Sequence, residues 1–189
     1  MQLVYFVVAA SLAVGGIWIF NRLVGLRNRA RNAWSDIDVQ LKRRHDLVAN
    51  LVEVVEGYMA HERQTLEGVT RARTRAENAR REGAPGRAAE SENDLTGGLR
   101  TLFALAEDYP DLEASDRFSD LHRALVALED ALQNARRYYN AVVRDLNTRI
   151  QSFPDLLLAR PLGFTEWEFF HLADRAEAAA PTIEIGGAS

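Results

Sequence analysis

An all-α protein, built as an N-terminal transmembrane helix followed by an antiparallel helical bundle, is predicted by three features of this 189-residue sequence. Leu3 to Phe20 is an uncharged apolar stretch. Beyond Arg27, apolar residues recur at alternating steps of four and three, the spacing of a helix that buries one stripe. The chain is rich in Ala, Leu, Arg and Glu, which favour helix, and it carries no strand-like alternation beyond the Val-rich apolar stretch itself.

The first element is the anchor. At roughly 1.5 Å per residue, about 18 apolar residues span about 27 Å, close to the hydrocarbon thickness of a bilayer. No basic residue precedes the stretch, and bulky Trp18, Ile19 and Phe20 close it, so it reads as an uncleaved anchor and not as a signal peptide. Trp18, Arg22, Arg27, Arg29 and Arg31 flank it on the C-terminal side. Cytoplasmic flanks carry the excess of Lys and Arg, which predicts the N-terminus outside and the main domain in the cytoplasm at the inner membrane. The expected organisation is an anchor over residues 1–21, a bundle over 22–172 and a flexible tail over 173–189.

The first bundle helix has its seam at Ile37, Leu41, Arg44, Val48, Leu51, Val55, Tyr58, Glu62, Thr65, Val69, Ala72 and Ala76. Arg44 and Glu62 interrupt it, and each is expected just outside the core with its stem packed and its head in water. A glycine costs about 1 kcal/mol in a helix, so neither Gly57 nor Gly68 forces a break, although a break would give a more compact four-helix arrangement. Residues 82–93, with Gly83, Pro85 and Gly86, read as the main loop. A second helix follows from Ala88 or Asp94 to Asp108 and stops at Tyr109-Pro110, because the residue before proline is pushed out of the helical region. Ser115 or Asp116 caps a third helix through Leu121, Leu125, Leu128, Leu132, Ala135, Tyr139, Val142, Leu146 and Ile150 to Phe153. Residues 165–179 can form a short amphipathic closing helix, which completes three main helices and a closing one.

Three blocks, at Ala33 to Glu62, Leu99 to Ser115 and Arg136 to Phe164, resemble the LemA family in order and cover most of the chain beyond the anchor. Ala49 stands where the family pattern usually has proline. The resemblance implies a bacterial membrane protein with one N-terminal span and a helical-bundle domain, and it brings no established enzymatic activity. A related branch is associated with magnetosome membranes.

The residues themselves suggest little catalysis. Without cysteine there is no disulfide, thiol chemistry or cysteine-bound metal. A net charge of −4 with acids and bases interspersed offers no basic face for nucleic acid. His61-Glu62 begins like a zinc-protease motif, but Thr65 stands where the second His is needed. Glu168 and His171 have the Glu-x-x-His spacing of di-iron bundles, without the second such motif those sites require. The expectation is no catalytic residue, no cofactor, no metal and no small-molecule substrate.

Binding is the stronger theme. Residue 43 lies roughly 30 Å beyond Phe20 on a straight helix, several Debye lengths from lipid headgroups, so only the Arg22 to Arg31 group is expected to touch them. Lys42 is expected to pair with Asp38 or with acids on neighbouring helices or a partner. Trp34, Asp36, Asp38, Lys42, Arg43, Tyr138 and Asn140 form the candidate partner surface, since aromatic anchors beside charges make binding hot spots. The structural alternative takes Trp34 and Tyr139 as core edges and Asn140 and Asn147 as polar positions that fix helix register. The chain is expected to be a membrane-anchored scaffold or adaptor that touches lipid through its first helix and recruits a protein partner or itself. A membrane-remodelling component, or a metal-dependent bundle enzyme, is the alternative.

Overall fold

A computed structural model describes residues 1–171. Helix α1, Gln2–Glu56, runs without interruption from the apolar stretch into the bundle. It is followed by α2, Arg63–Glu82, α3, Pro85–Ala106, the single turn α4, Pro110–Glu113, the long α5, Asp116–Gln151, and the short α6, Leu156–Ala159. The described residues contain no strand, so the all-α class holds.

The seam expected to run unbroken from Ile37 to Ala76 is divided between two helices, the arrangement that follows from a break at Gly57. Gly57 closes α1, and Tyr58 and Met59 both donate their N–H to Val55 O. Met59 is buried, so the turn plugs the distal core with its own side chain. Gly68 sits inside α2 without disturbing it. The expected main loop over residues 82–93 is a correction in the other direction. The turn is only Gly83 and Ala84, with Gly83 at φ 70°, a conformation that favours glycine, and Pro85 then opens α3 at its first turn, where no N–H is needed. The closing helix is also not formed over the described residues: Thr165 to His171 is extended, and residues 172–179, like the expected tail, lie outside them.

α1 packs chiefly on α5 and α2 on α3. Side-chain pairings fix the directions. On α1 and α2, Arg73 bonds to His45 O and Arg80 to Asp38, so these helices are antiparallel. Glu129 meets Arg44 and Tyr139 meets Trp34, so α5 also runs against α1.

The core is two stacked clusters. The anchor-proximal one takes Ile19 to Leu41 from α1, Leu132 to Ile150 from α5, Ala88 and Ala89 from α3, and Ala159, Phe164 and Phe170 from the end of the described chain. The distal one joins Val48 to Met59 with α2, the rest of α3, Leu112, Phe118 and Leu125. Between them lies a polar layer at one level of three helices. Arg44 and His45 separate Leu41 from Val48, Glu92 separates Ala89 from Leu95, and Glu129 separates Leu125 from Leu132.

Candidate functional site

Arg44 is buried, not lifted to water as its interruption of the seam suggested. Its Nη2 donates to Thr96 Oγ1 at 2.8 Å, and its Nη1 lies 3.2 Å from Glu129 Oε2 and 3.6 Å from Glu92 Oε2. His45 Nε2 donates to Glu92 Oε1 at 2.6 Å. A fully buried carboxylate thus sits between a guanidinium and an imidazole, and Thr96 bridges back to Glu92 O. Buried charges are tolerated only when paired in this way. The layer ties α1, α3 and α5 together at one level. Glu62, the other charge on the seam, lies in the α1–α2 connection, where Tyr109 donates its hydroxyl to Glu62 Oε1 at 3.3 Å. Loss of solvent and the neighbouring carboxylate both raise the Tyr109 pKa.

The extended segment Thr165 to His171 forms a strap along α5. Asn147 Oδ1 accepts from Trp167 N–H and its Nδ2 donates to Trp167 O, both at 2.9 Å. Asn140 treats Phe170 in the same way. The two asparagines are seven helical residues apart, about 10.5 Å, and the two strap residues three extended residues apart, about 10 Å, so the spacings match. Side-chain amides here satisfy the backbone as a paired strand would. Between them, Tyr139 donates its hydroxyl to Glu168 O at 2.9 Å. Burial, and secondarily the Glu168 carboxylate, push the Tyr139 pKa up to about 12. Trp34 packs against Tyr139 and Phe170, with ring centroids 5.6 and 5.7 Å away.

These contacts divide the sequence-derived surface. Trp34 and Asn140 are brought together around Phe170 and are held by the strap. Asp38 is engaged by Arg80 at 2.7 Å, in place of the pairing with Lys42 that the spacing suggested. Asp36, Lys42, Arg43 and Tyr138 are exposed. Glu168 and His171 fall in the non-helical strap, so they do not share the helix face on which the Glu-x-x-His spacing depends. His61 and Glu62 fall in the turn before α2 rather than on a helix.

At the end of the apolar stretch, a cleft of about 660 Å³ opens between α1 and α5, lined by Trp18, Asn21, Arg22, Gly25, Leu26, Arg29, Asp145, Thr148 and Arg149. The Arg22 guanidinium lies 5.2 Å over the Trp18 ring. Arg149 Nη1 donates to buried Asp155 Oδ2 at 3.2 Å, which ties α5 to the chain leading into α6. Arg29 and Arg31 are exposed, whereas Arg27 turns onto Phe164, its guanidinium 4.9 Å from the ring centroid. The cleft gathers the Arg22, Arg29 and Arg149 guanidiniums beside Trp18 and the Asp145 carboxylate, with Arg149 already paired to Asp155. The flanking arginines of α1 were legible from sequence. Asp145, Thr148 and Arg149 were not, because α5 meets α1 only through the tertiary fold.

A sequence model of the LemA family matches residues 33–185. The chain is 25% identical over 175 residues to the magnetosome protein MamQ of Magnetospirillum gryphiswaldense, and 26% identical over 174 residues to magnetosome protein MamQ 2 of Paramagnetospirillum magneticum. Each alignment covers 80% of this chain and 64% of the relative. Protein LemA of Metamycoplasma hominis is 26% identical over 166 residues, covering 87% of this chain and 74% of that protein.

Proposed function

Because this chain belongs to the LemA family, we propose that it is a membrane-anchored, non-enzymatic scaffold or adaptor whose bundle presents a protein-binding surface at a fixed attitude to the bilayer. The continuity of α1 supports this reading. The apolar stretch, which is long and apolar enough to cross a membrane, shares one helix with residues that form both core clusters. A domain joined by a helix rather than a flexible linker does not swivel freely on its anchor. The arginines that follow the stretch favour a cytoplasmic domain at the inner membrane with the N-terminus outside, and the cleft at Arg22, Arg29 and Arg149 supplies contact with anionic lipid.

The partner surface is the outward face at Asp36, Lys42, Arg43 and Tyr138, all exposed and none serving the core. Photoreactive residues at Asp36, Arg43 and Tyr138 in cells test it. Capture of one recurrent protein, lost when the opposing surface is changed, is the expected result. Capture of lipid alone overturns the adaptor reading in favour of a membrane-organising component, the reading that similarity to magnetosome proteins favours.

A further inference from the structure

We propose that the turn around α6, Phe153 to Leu162, is a second membrane contact, which enters the lipid interface beside the span and sets the rotation and tilt of the bundle. The proposal rests on reading the apolar stretch as a membrane span. Large apolar side chains are exposed at only seven described positions beyond Phe20, and three of them fall in this ten-residue turn. Phe153 is 80% exposed, Leu157 63% and Leu162 49%. The other four, Val39, Tyr58, Val126 and Tyr138, are scattered over the bundle. Single exposed apolar residues are ordinary on a soluble surface, whereas a cluster marks a surface that is covered.

The position of the turn says what covers it. Leu158 packs against Gly16, where an added Cβ would lie 3.7 Å from Leu158 Cδ1. Phe164 stacks edge-on against Phe20, ring centroids 6.1 Å apart. Gly16 lies inside the apolar stretch, four residues or about 6 Å along the helix before Phe20. A turn that touches the helix at that depth lies at the level of the lipid interface, with its outward residues directed to the same medium as the neighbouring lipid-facing side chains Ile17 and Phe20. Arg160, exposed in the same turn, can reach headgroups while its stem stays in the apolar layer. Ala159, Asp155 and Leu158 hold the turn to the bundle from behind, Asp155 through Arg149, so the exposed apolar edge is presented by a fixed scaffold.

The chain contains no native cysteine, so single labels report without background. The full-length protein carrying an environment-sensitive fluorophore at Leu157→Cys, Val8→Cys or Val126→Cys is reconstituted into phosphatidylcholine–phosphatidylglycerol vesicles doped with nitroxide lipids. All three positions are exposed, so the label disturbs no core. The label at 157 is expected to lose most of its emission to a nitroxide near the headgroup and little to one at mid-bilayer; the label at 8 is quenched and that at 126 is not. Absence of quenching at 157 with quenching retained at 8 overturns the second contact and leaves the span standing. Absence at both overturns the span reading and the proposal with it. Equal quenching at 157 and 126 signals general adsorption of the domain and also overturns the proposal.

Discussion

Asn140 holds Phe170 as a neighbouring strand would, its Oδ1 accepting from the Phe170 N–H at 2.9 Å and its Nδ2 donating to the Phe170 carbonyl at 3.0 Å. Replacement by alanine removes both bonds. At about 1 kcal/mol net per hydrogen bond, Asn140→Ala is expected to destabilise the strap by about 2 kcal/mol, and adding Asn147→Ala to release it. Hydrogen–deuterium exchange over residues 165–171 measures this directly; unchanged protection in the double variant would contradict the clamp.

The buried layer makes a prediction of opposite signs. Glu92→Ala leaves the Arg44 guanidinium with only partly exposed Glu129 for a carboxylate, and loss of one partner from a buried ionic cluster costs about 3–5 kcal/mol. Replacing the layer together, as Arg44→Met, His45→Leu and Glu92→Leu, is expected to recover most of that stability, because apolar packing removes the desolvation penalty. Urea unfolding of the two variants distinguishes them. Equal destabilisation would show that the layer is not an ionic cluster in energetic terms.

Alkaline unfolding follows from Tyr139. Its pKa stands at about 12 in the folded chain against 10.0 for the ordinary phenol. Below pH 10 both folded and unfolded forms keep the proton and the full stability is present. Between pH 10 and 12 the unfolded chain releases its proton first, so stability falls as pH rises, by up to about 3 kcal/mol. Tyr139→Phe is expected to cost about 1 kcal/mol at neutral pH, through the lost bond to Glu168 O, and to flatten the decline above pH 10. Thermal midpoints across that pH range test both parts; a parallel decline in the variant would assign the loss to other groups.

The cleft predicts lipid selectivity. A basic side chain near an anionic surface contributes about 1 kcal/mol, roughly fivefold in affinity. Arg22→Gln and Arg29→Gln are each expected to lower the phosphatidylglycerol retained through detergent purification by roughly that factor, with the effect shrinking at high salt. Arg31→Gln, outside the cleft, is the comparison. Equal loss from all three would mean general charge attraction and no site.

The class of the fold and the long helices were legible because their signals are local: a seven-residue repeat, an apolar run, a proline. Leu121 to Ile150 read as helix because every seam position lies within one continuous segment. The break after α1 was not, since Gly57 alone is a weak signal and the turn is held by Met59, which finds its place in a core assembled from all five helices α1 to α5. Arg44 was misplaced for the same kind of reason. Its partners Glu92 and Glu129 are distant in sequence, so the pattern on α1 showed an interrupted stripe but not what fills the gap. Asn140 and Asn147 were recognisable as polar register positions on an apolar helix, while the extended strap they hold has a helical composition that tertiary contacts override.

One helix from Gln2 to Glu56 also makes the protein a lever. Some 36 residues beyond Phe20 give an arm of roughly 54 Å, so where the apolar stretch spans a bilayer, a change of about 10° in its tilt swings the distal end by roughly 9 Å. A change of bilayer thickness that alters that tilt is thereby converted into displacement of whatever the far end of the bundle touches.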